Sequence, residues 1–163
     1  MTTPPRPQIR KLAALKLAGL HLVLDGPAGG PMERFRGIPD LWRGLMTRVH
    51  EIPGRLGGER YALIENDLFP TAEAPVYRAL VAVESFEGLP DWVVDRVEIP
   101  AGDYACFEHR GSPREVGRTI YAVKAAWSGE IPDLFARNRE IIVYPGTHDP
   151  SDPNGTLEIR LPR

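Results

Sequence analysis

A segment near the end of the chain, EIIVYP from Glu140 to Pro145, places an acid and a tyrosine at a spacing that suits chemistry. Side chains alternate between the two sides of a β-strand, so Glu140, Ile142 and Tyr144 should project from the same side. A carboxylate shielded from water has a raised pKa and can serve as a general base, and a tyrosine hydroxyl can orient the water it activates. We therefore predict Glu140 and Tyr144 as catalytic candidates. A solvated strand glutamate is the alternative for Glu140.

A second acid, Glu84, lies in the apolar run VAVES. The alternation of the run turns Glu84 to the side opposite Val83. A carboxylate on the inner face of a sheet could bind a cation or act as a base, so Glu84 is a third catalytic candidate and a candidate ligand contact. The alternative is again a solvated glutamate.

Aromatic side chains with a polar atom at one end could line a binding pocket. Trp42 and Trp127 lie on the apolar stripes of two predicted helices, although both could be ordinary core residues. Tyr77 is either a further pocket residue or an exposed strand residue. The candidate ligand-binding residues are Trp42, Tyr104, Tyr121, Trp127, Tyr144 and Glu84.

Metal, cofactor and thiol chemistry find no support in the sequence. The histidines are His21, His50, His109 and His148, and no pair has a metal-ligand spacing such as H-x₃-H. We predict no metal site and no cofactor. His109 should order the turn that follows it, and Cys106 should be an inert packed thiol because no positive neighbour in the sequence lowers its pKa.

The composition narrows the range of partners. Lys plus Arg number 20 against 22 Asp plus Glu, a balance that gives no electrostatic attraction to nucleic acid or to an anionic membrane. No run of about 18 apolar residues exists, and the N-terminus lacks the apolar core of a signal peptide. A single cysteine suits a reducing cytoplasm. A chain of 163 residues favours one domain.

The elements that must position these residues are clearest between residues 99 and 127. Alternation predicts a strand up to Gly111, and Ser112 followed by Pro113 then predicts the start of a helix that Gly129 ends. A first helix is predicted over residues 39–52, and residues 26–37 form a Gly/Pro loop. Residues 9–25 are either a strand pair or one long bent strand. The order is β, α, β, β, repeated once.

These segments together resemble a known family. IPAGDYACFEHRG ahead of an aromatic-bearing helix is similar to the pattern "IPAG-YA-F-H-G" of the GyrI-like small-molecule-binding domain, also called the bacterial transcription activator effector-binding domain. Trp42 in IPDLWRGL matches a Trp in that family's first helix. ALVAVESFEGLP, EIIVYP and TLEIRLP match its later strands, and the resemblance spans roughly residues 8 to 162.

The resemblance implies an α+β fold. It predicts a duplicated βαββ repeat whose antiparallel sheet carries two main helices on one face, with a ligand cavity at the repeat junction. In the family a late strand usually reads "F-E-x-Y", and its Glu points into the cavity. If Tyr144 is the family tyrosine, Ile142 occupies the acid position, and Glu140 lies two residues earlier.

The function implied is small-molecule binding. We expect a disordered tail over residues 1–7 and a single domain over residues 8–163 that binds or senses a drug-like, apolar or cationic molecule. The domain would stand alone without a DNA-binding domain, in the cytoplasm, with no direct contact to nucleic acid or membrane. The alternative is a GyrI-like hydrolase of small reactive electrophiles that uses a cavity Glu and Tyr. A protein partner or a homodimer stays open.

Overall fold

The computed structural model of the chain describes residues 3–24, 35–69, 71–149, 152 and 154–163. Most of the loop predicted over residues 26–37 lies outside the described residues, as do the first two residues of the predicted tail. The β-strands are β1 (Gln8–Leu12), β2 (Leu15–Val23), β3 (Arg55–Glu65), β4 (Val76–Val83), β5 (Asp95–Ile99), β6 (Gly102–Arg110), β7 (Arg139–Tyr144) and β8 (Thr156–Pro162). The α-helices are α1 (Ile38–Arg48) and α2 (Val116–Trp127).

Within the described residues, eight strands form one antiparallel sheet in the order β1-β6-β8-β7-β3-β4-β2-β5, curled into a half-barrel. This confirms the predicted α+β class. The strand order is symmetric: exchanging β1 with β5, β2 with β6, β3 with β7 and β4 with β8 gives the same order read from the opposite edge. The central pair of strands is β3 and β7. Each half lends one strand to the other half's edge, because β1 pairs with β6 and β5 with β2. Duplication of a βαββ unit remains a prediction.

Both sides of the sheet are apolar, and the helices cover one of them. Residues that alternate along the strands form two buried clusters, one on each side of the sheet. One cluster contains Ala62 and Ile142, and the other contains Leu63 and Ile141. The buried positions of both helices, including Leu45 of α1, belong to the first cluster. We call the side of the sheet that carries this cluster the helix face. Burial of that apolar area is the main force that holds α1 and α2 on the sheet.

The first helix is shorter than predicted. α1 begins next to Pro39, which suits the first turn of a helix, and ends at Arg48 rather than at residue 52. A single 3-10 turn, Val49–Glu51, continues the chain, and the amide of Ile52 closes it by donating to the carbonyl of Val49 at 3.0 Å. The predicted apolar stripe nevertheless holds, since Ile52 is buried in the same cluster as Leu45.

The start of the second helix follows the predicted signals with one change. The Ser112 hydroxyl accepts from the amide of Arg114 at 3.2 Å, but it caps a 3-10 turn, and the α-helix begins at Val116. The imidazole of His109 bonds the Thr119 hydroxyl at 2.6 Å and the Ser112 carbonyl at 2.8 Å. His109 is only 2% exposed and orders this turn as predicted.

The early segment forms two separate strands, β1 and β2, but they do not pair with each other: β1 pairs with β6, and β2 pairs with β4 and β5. Gly19 lies inside β2 between β4 and β5. A Cβ at Gly19 would lie 2.0 Å from the carbonyl oxygen of Ala79, so glycine is required by close backbone approach.

Candidate functional site

Three aromatic side chains join α1 to the middle of the sheet. The indole Nε1 of Trp42 donates a hydrogen bond to the hydroxyl of Tyr77 at 2.8 Å. The Trp42 ring meets the Tyr144 ring edge to face, with centroids 5.7 Å apart and planes at 69°. Tyr77 is 4% exposed, and its hydroxyl lies near that of Tyr144. The three rings form one contact network, which we call the aromatic cluster.

Sheet register places an acid in line with this cluster. Tyr77 on β4 pairs with Ile64 on β3, which pairs in turn with Glu140 on β7. Glu140 is 5% exposed and has the same phase on β7 as Ile142, which lies on the helix face. Glu140 and Tyr144 therefore share one side of the strand, as the strand period predicts.

Small residues form the floor between the two ends of this arrangement. The next pairing along the strands joins Ala79, Ala62 and Ile142, and both alanines are fully buried. The following pairing joins Tyr144 to Arg60. Both alanines belong to the apolar cluster on the helix face.

The electrostatics of the cluster keep both phenols protonated. Burial raises the pKa of Tyr77 well above its ordinary value, and the neighbouring Tyr144 and the Glu140 carboxylate add to the rise. Burial also raises the pKa of Tyr144, although the nearby Tyr77 hydroxyl and the charge of Arg60 oppose this. At neutral pH the site thus presents neutral hydroxyl groups beside an acid.

Asn138 fixes the start of the strand that carries Glu140. Its side-chain Oδ1 accepts from the amide of Leu68 at 2.9 Å, and its Nδ2 donates to the carbonyl of Phe69 at 2.9 Å. Asn138 has a φ of 46°, a left-handed conformation that asparagine tolerates better than most residues. The loop before β4 and the first residues of β7 are therefore held together two positions from Glu140.

A histidine extends the aromatic cluster through Tyr144. The ring of His148 meets the ring of Tyr144 at 5.4 Å between centroids, with planes at 61°. Burial and the nearby positive charge of Arg60 lower the pKa of His148 below its ordinary value. The imidazole is therefore neutral at neutral pH.

The remaining ligand candidates lie elsewhere. Trp127 packs on the helix face, where its Nε1 donates to the Pro4 carbonyl at 3.4 Å and the Arg6 guanidinium lies 4.9 Å from its ring centre. Tyr104 belongs to the cluster on the opposite side of the sheet. Tyr121 is 75% exposed.

Glu84 is also distant from the aromatic cluster. It is exposed in a bend just after β4, and its amide donates to the Gly54 carbonyl at 2.8 Å. It borders a shallow surface depression of about 200 Å³ together with Lys16 and Glu98. The structure thus brings Trp42, Tyr144 and Glu140 together and does not bring Glu84, Tyr104 or Tyr121 to them.

Two residues of the site were not in the predicted set, Tyr77 and His148. Tyr77 is in phase with Ala79 and Val81 along β4, but both sides of that strand are apolar, so the period alone cannot choose a face. His148 lies in a loop, where no periodicity exists. Only its contact with Tyr144 in the folded structure shows that His148 belongs to the site.

The described residues contain neither a group of metal ligands nor a membrane-spanning helix. No three His, Cys, Asp or Glu side chains among them lie close enough to hold a metal ion. None of the helices placed by the structure is long and apolar enough to cross a membrane.

Comparison with known families identifies the family to which the fold belongs. The family model described as "GyrI-like small molecule binding domain" matches residues 5–162. The chain therefore belongs to the GyrI-like small-molecule-binding domain family, as its sequence signature predicted. No curated protein matches the chain.

Solved structures share the same fold at low sequence identity. SAV2435 bound to tetraphenylphosphonium is 17% identical with a TM-score of 0.69, over 96% of this chain and 92% of that one. EcmrR in a complex with DNA is 14% identical with a TM-score of 0.70, over 99% of this chain and 58% of EcmrR. A hydrolase encoded by lin2189 from Listeria innocua is 12% identical with a TM-score of 0.58, over 96% and 91% of the two chains. At such identities the likeness shows the fold alone.

Proposed function

We propose that this domain binds a small aromatic or amphipathic cation on the helix face of the sheet, between Glu140 and the aromatic cluster of Trp42, Tyr77 and Tyr144. One observation carries the proposal: the carboxyl group of Glu140 is 5% exposed and close enough to both tyrosine hydroxyls to raise their pKa values. The proposed site therefore combines a carboxyl group with apolar and aromatic side chains.

The physical basis is the match between that site and a bulky cation. A cation beside a carboxylate in a site of low dielectric constant is attracted more strongly than it would be in water. Ring faces attract cations through their quadrupole, by about 0.5–1 kcal/mol at exposed sites and more when desolvated. Ala62 and Ala79 are the apolar residues on which the hydrophobic part of the ligand would pack, since they lie on the helix face beside the cluster.

The relatives support this ligand class. SAV2435 has been solved with tetraphenylphosphonium, an aromatic cation, and EcmrR with DNA. We propose that the present domain senses a ligand of the same type in the cytoplasm, and that nucleic acid is not its direct partner because its charges nearly balance. Glu84, Tyr104 and Tyr121 are not part of the proposed site.

The test is calorimetric titration of the purified chain with tetraphenylphosphonium and with tetraphenylborate, an anion of the same shape. We expect a dissociation constant on the order of micromolar for the cation and at least about tenfold weaker binding of the anion. Glu140→Gln should remove most of this discrimination, whereas the exposed Glu84→Gln should preserve it. Equal affinity for the two ions in the wild type would refute the proposal.

Substitutions of the two helix tryptophans would locate the ligand. Trp42→Phe should weaken binding because the indole contacts both tyrosines. Trp127→Phe serves as the comparison, since that ring lies against residues 4 and 6. Loss with Trp42→Phe alone would place the ligand beneath α1, and loss with both variants would place it between the helices.

Hydrolysis of a small electrophile is the second candidate. The buried Glu140 next to two neutral hydroxyls is the observation that favours it, since this arrangement can hold and deprotonate a water molecule. Turnover of an epoxide and ester panel should then fall by a factor of about 10²–10⁴ in Glu140→Gln and also fall in Tyr144→Phe. If both variants keep the activity of the wild type, this mechanism is wrong. If the wild type shows no activity, small-molecule binding is the remaining proposal.

A further inference from the structure

The loop that follows β7 holds His148 in a fixed place. The amide of His148 donates to the Pro145 carbonyl at 2.9 Å, and the Arg60 guanidinium donates to the His148 carbonyl at 3.4 Å. The loop also lies directly on β3 at Gly58, where a Cβ on Gly146 would come within 3.2 Å of the backbone oxygen. Two glycines allow this close approach, and the turn places the imidazole against Tyr144.

The side chain of His148 carries an unused polar atom. Among the residues that the structure describes, Nε2 of His148 is the buried side-chain nitrogen or oxygen that lacks a hydrogen-bond partner. Nδ1 of the same ring faces the Gly155 side of the loop. Leaving a buried polar atom unpaired is unfavourable, and such atoms in native proteins call for an explanation.

The location of this nitrogen suggests its use. His148 contacts Tyr144, which contacts Trp42, so the imidazole extends the aromatic cluster. We propose that Nε2 of His148 hydrogen-bonds a polar group on the molecule held by the aromatic cluster and so selects ligands with a polar end. This inference rests on the proposed binding function and names a specificity-determining residue within it.

The charges around His148 fit a neutral hydrogen-bonding role. Arg60 on β3 approaches it from the sheet, and Tyr144 on β7 contributes a neutral ring. Asp149 and Asp152 of the same loop favour protonation, but burial and Arg60 outweigh them. A neutral imidazole offers one donor and one acceptor, so Nε2 can pair with a hydroxyl in either tautomer.

The experiment compares two cations that differ by one hydroxyl group, tetraphenylphosphonium and (4-hydroxyphenyl)triphenylphosphonium. Titrations use the wild-type chain, His148→Phe and, as matched control, His50→Phe, because His50 is exposed in the turn after α1. We expect the wild type and His50→Phe to bind the hydroxylated probe roughly three- to tenfold more tightly. His148→Phe keeps a ring against Tyr144 and should bind both probes equally.

A second readout does not depend on a variant folding. In nitrogen-15 spectra of the wild type, the Nε2 resonance of His148 should shift with the hydroxylated probe and stay nearly unchanged with tetraphenylphosphonium. If both probes bind but show no preference, if the preference survives His148→Phe, or if Nε2 responds equally to both, the His148 role is wrong while the proposed function stands. Failure of the wild type to bind either probe would refute the proposed function and this inference with it.

Discussion

Replacing Tyr77 with phenylalanine tests whether the aromatic cluster exists as described. The change removes one hydroxyl group and retains the ring, so packing against Ile64 and the alanine floor should be preserved. That hydroxyl accepts from the Trp42 indole at 2.8 Å and lies near the Tyr144 hydroxyl. The Trp42 indole would lose this bond next to a tyrosine ring that is almost fully buried.

The size of the effect follows from the burial of the two partners. A buried hydrogen bond contributes about 1 kcal/mol net, and an atom left unsatisfied costs about 1–3 kcal/mol more. Trp42 is half-buried, so water can replace part of what its indole loses. We therefore expect Tyr77→Phe to lower the free energy of unfolding by about 2 kcal/mol. In a chain of this length that corresponds to a fall of about 4–8 °C in Tm.

The assay is urea unfolding followed by circular dichroism, with Trp42→Phe, Tyr77→Phe and the double variant forming a cycle. The two changes should couple by about 1 kcal/mol because they break the same bond. Tyr121→Phe is the control, since its hydroxyl is on a side chain that is 75% exposed and should alter stability by less than about 0.5 kcal/mol. A Tyr77→Phe variant as stable as this control, or strictly additive singles, would refute the described geometry.

Three further outcomes follow from the fold and the site. Gly19→Ala would place a Cβ 2.0 Å from a backbone oxygen of β4 and should lower the free energy of unfolding by about 3 kcal/mol or more. Gly102→Ala has open space around it and should change that free energy little. The midpoints of urea unfolding of the two variants test this difference. Asn138→Ala should lose about 3 kcal/mol through its loop hydrogen bonds and strained φ, with Asn138→Gly recovering the backbone part. The pKa values of Tyr77 and Tyr144 are raised in the folded state, so their stabilising contribution is complete below about pH 10, the ordinary pKa of tyrosine. It is lost as the pH rises through the folded-state pKa values. Measurements of unfolding free energy between about pH 8 and 12 should show this loss, and the loss should be smaller in Tyr77→Phe.

Strand and helix periodicity predicted the local part of this structure correctly. Glu140 and Tyr144 share a side of β7 because the side-chain period of any strand is two. The turn at His109 and Ser112 was predictable because its signals are next to one another in the sequence. The signals at the end of α1 were weaker, and a 3-10 turn replaced the last part of the helix expected up to residue 52.

Periodicity along the sequence could not predict which residues come together in the site, because that depends on which strands pair. Tyr77 lies in register with Glu140 only because β3 pairs with both β4 and β7, and these pairings are non-local. The sheet is also apolar on both sides, so alternation cannot tell which side the helices cover. Tyr104 and Tyr144 were both predicted ligand contacts, but they lie on opposite faces of the sheet.

The strand order gives the proposed site a further consequence. Trp42 and Tyr77 come from the part of the chain that contains β1–β4, and Glu140, Tyr144 and His148 come from the part that contains β5–β8. The two parts meet at the β3–β7 pair in the middle of the sheet. A molecule bound there contacts both parts and requires both to be folded. Binding should therefore stabilise the whole sheet by RT ln(1 + [L]/Kd), because a partly unfolded chain would lose one side of the site.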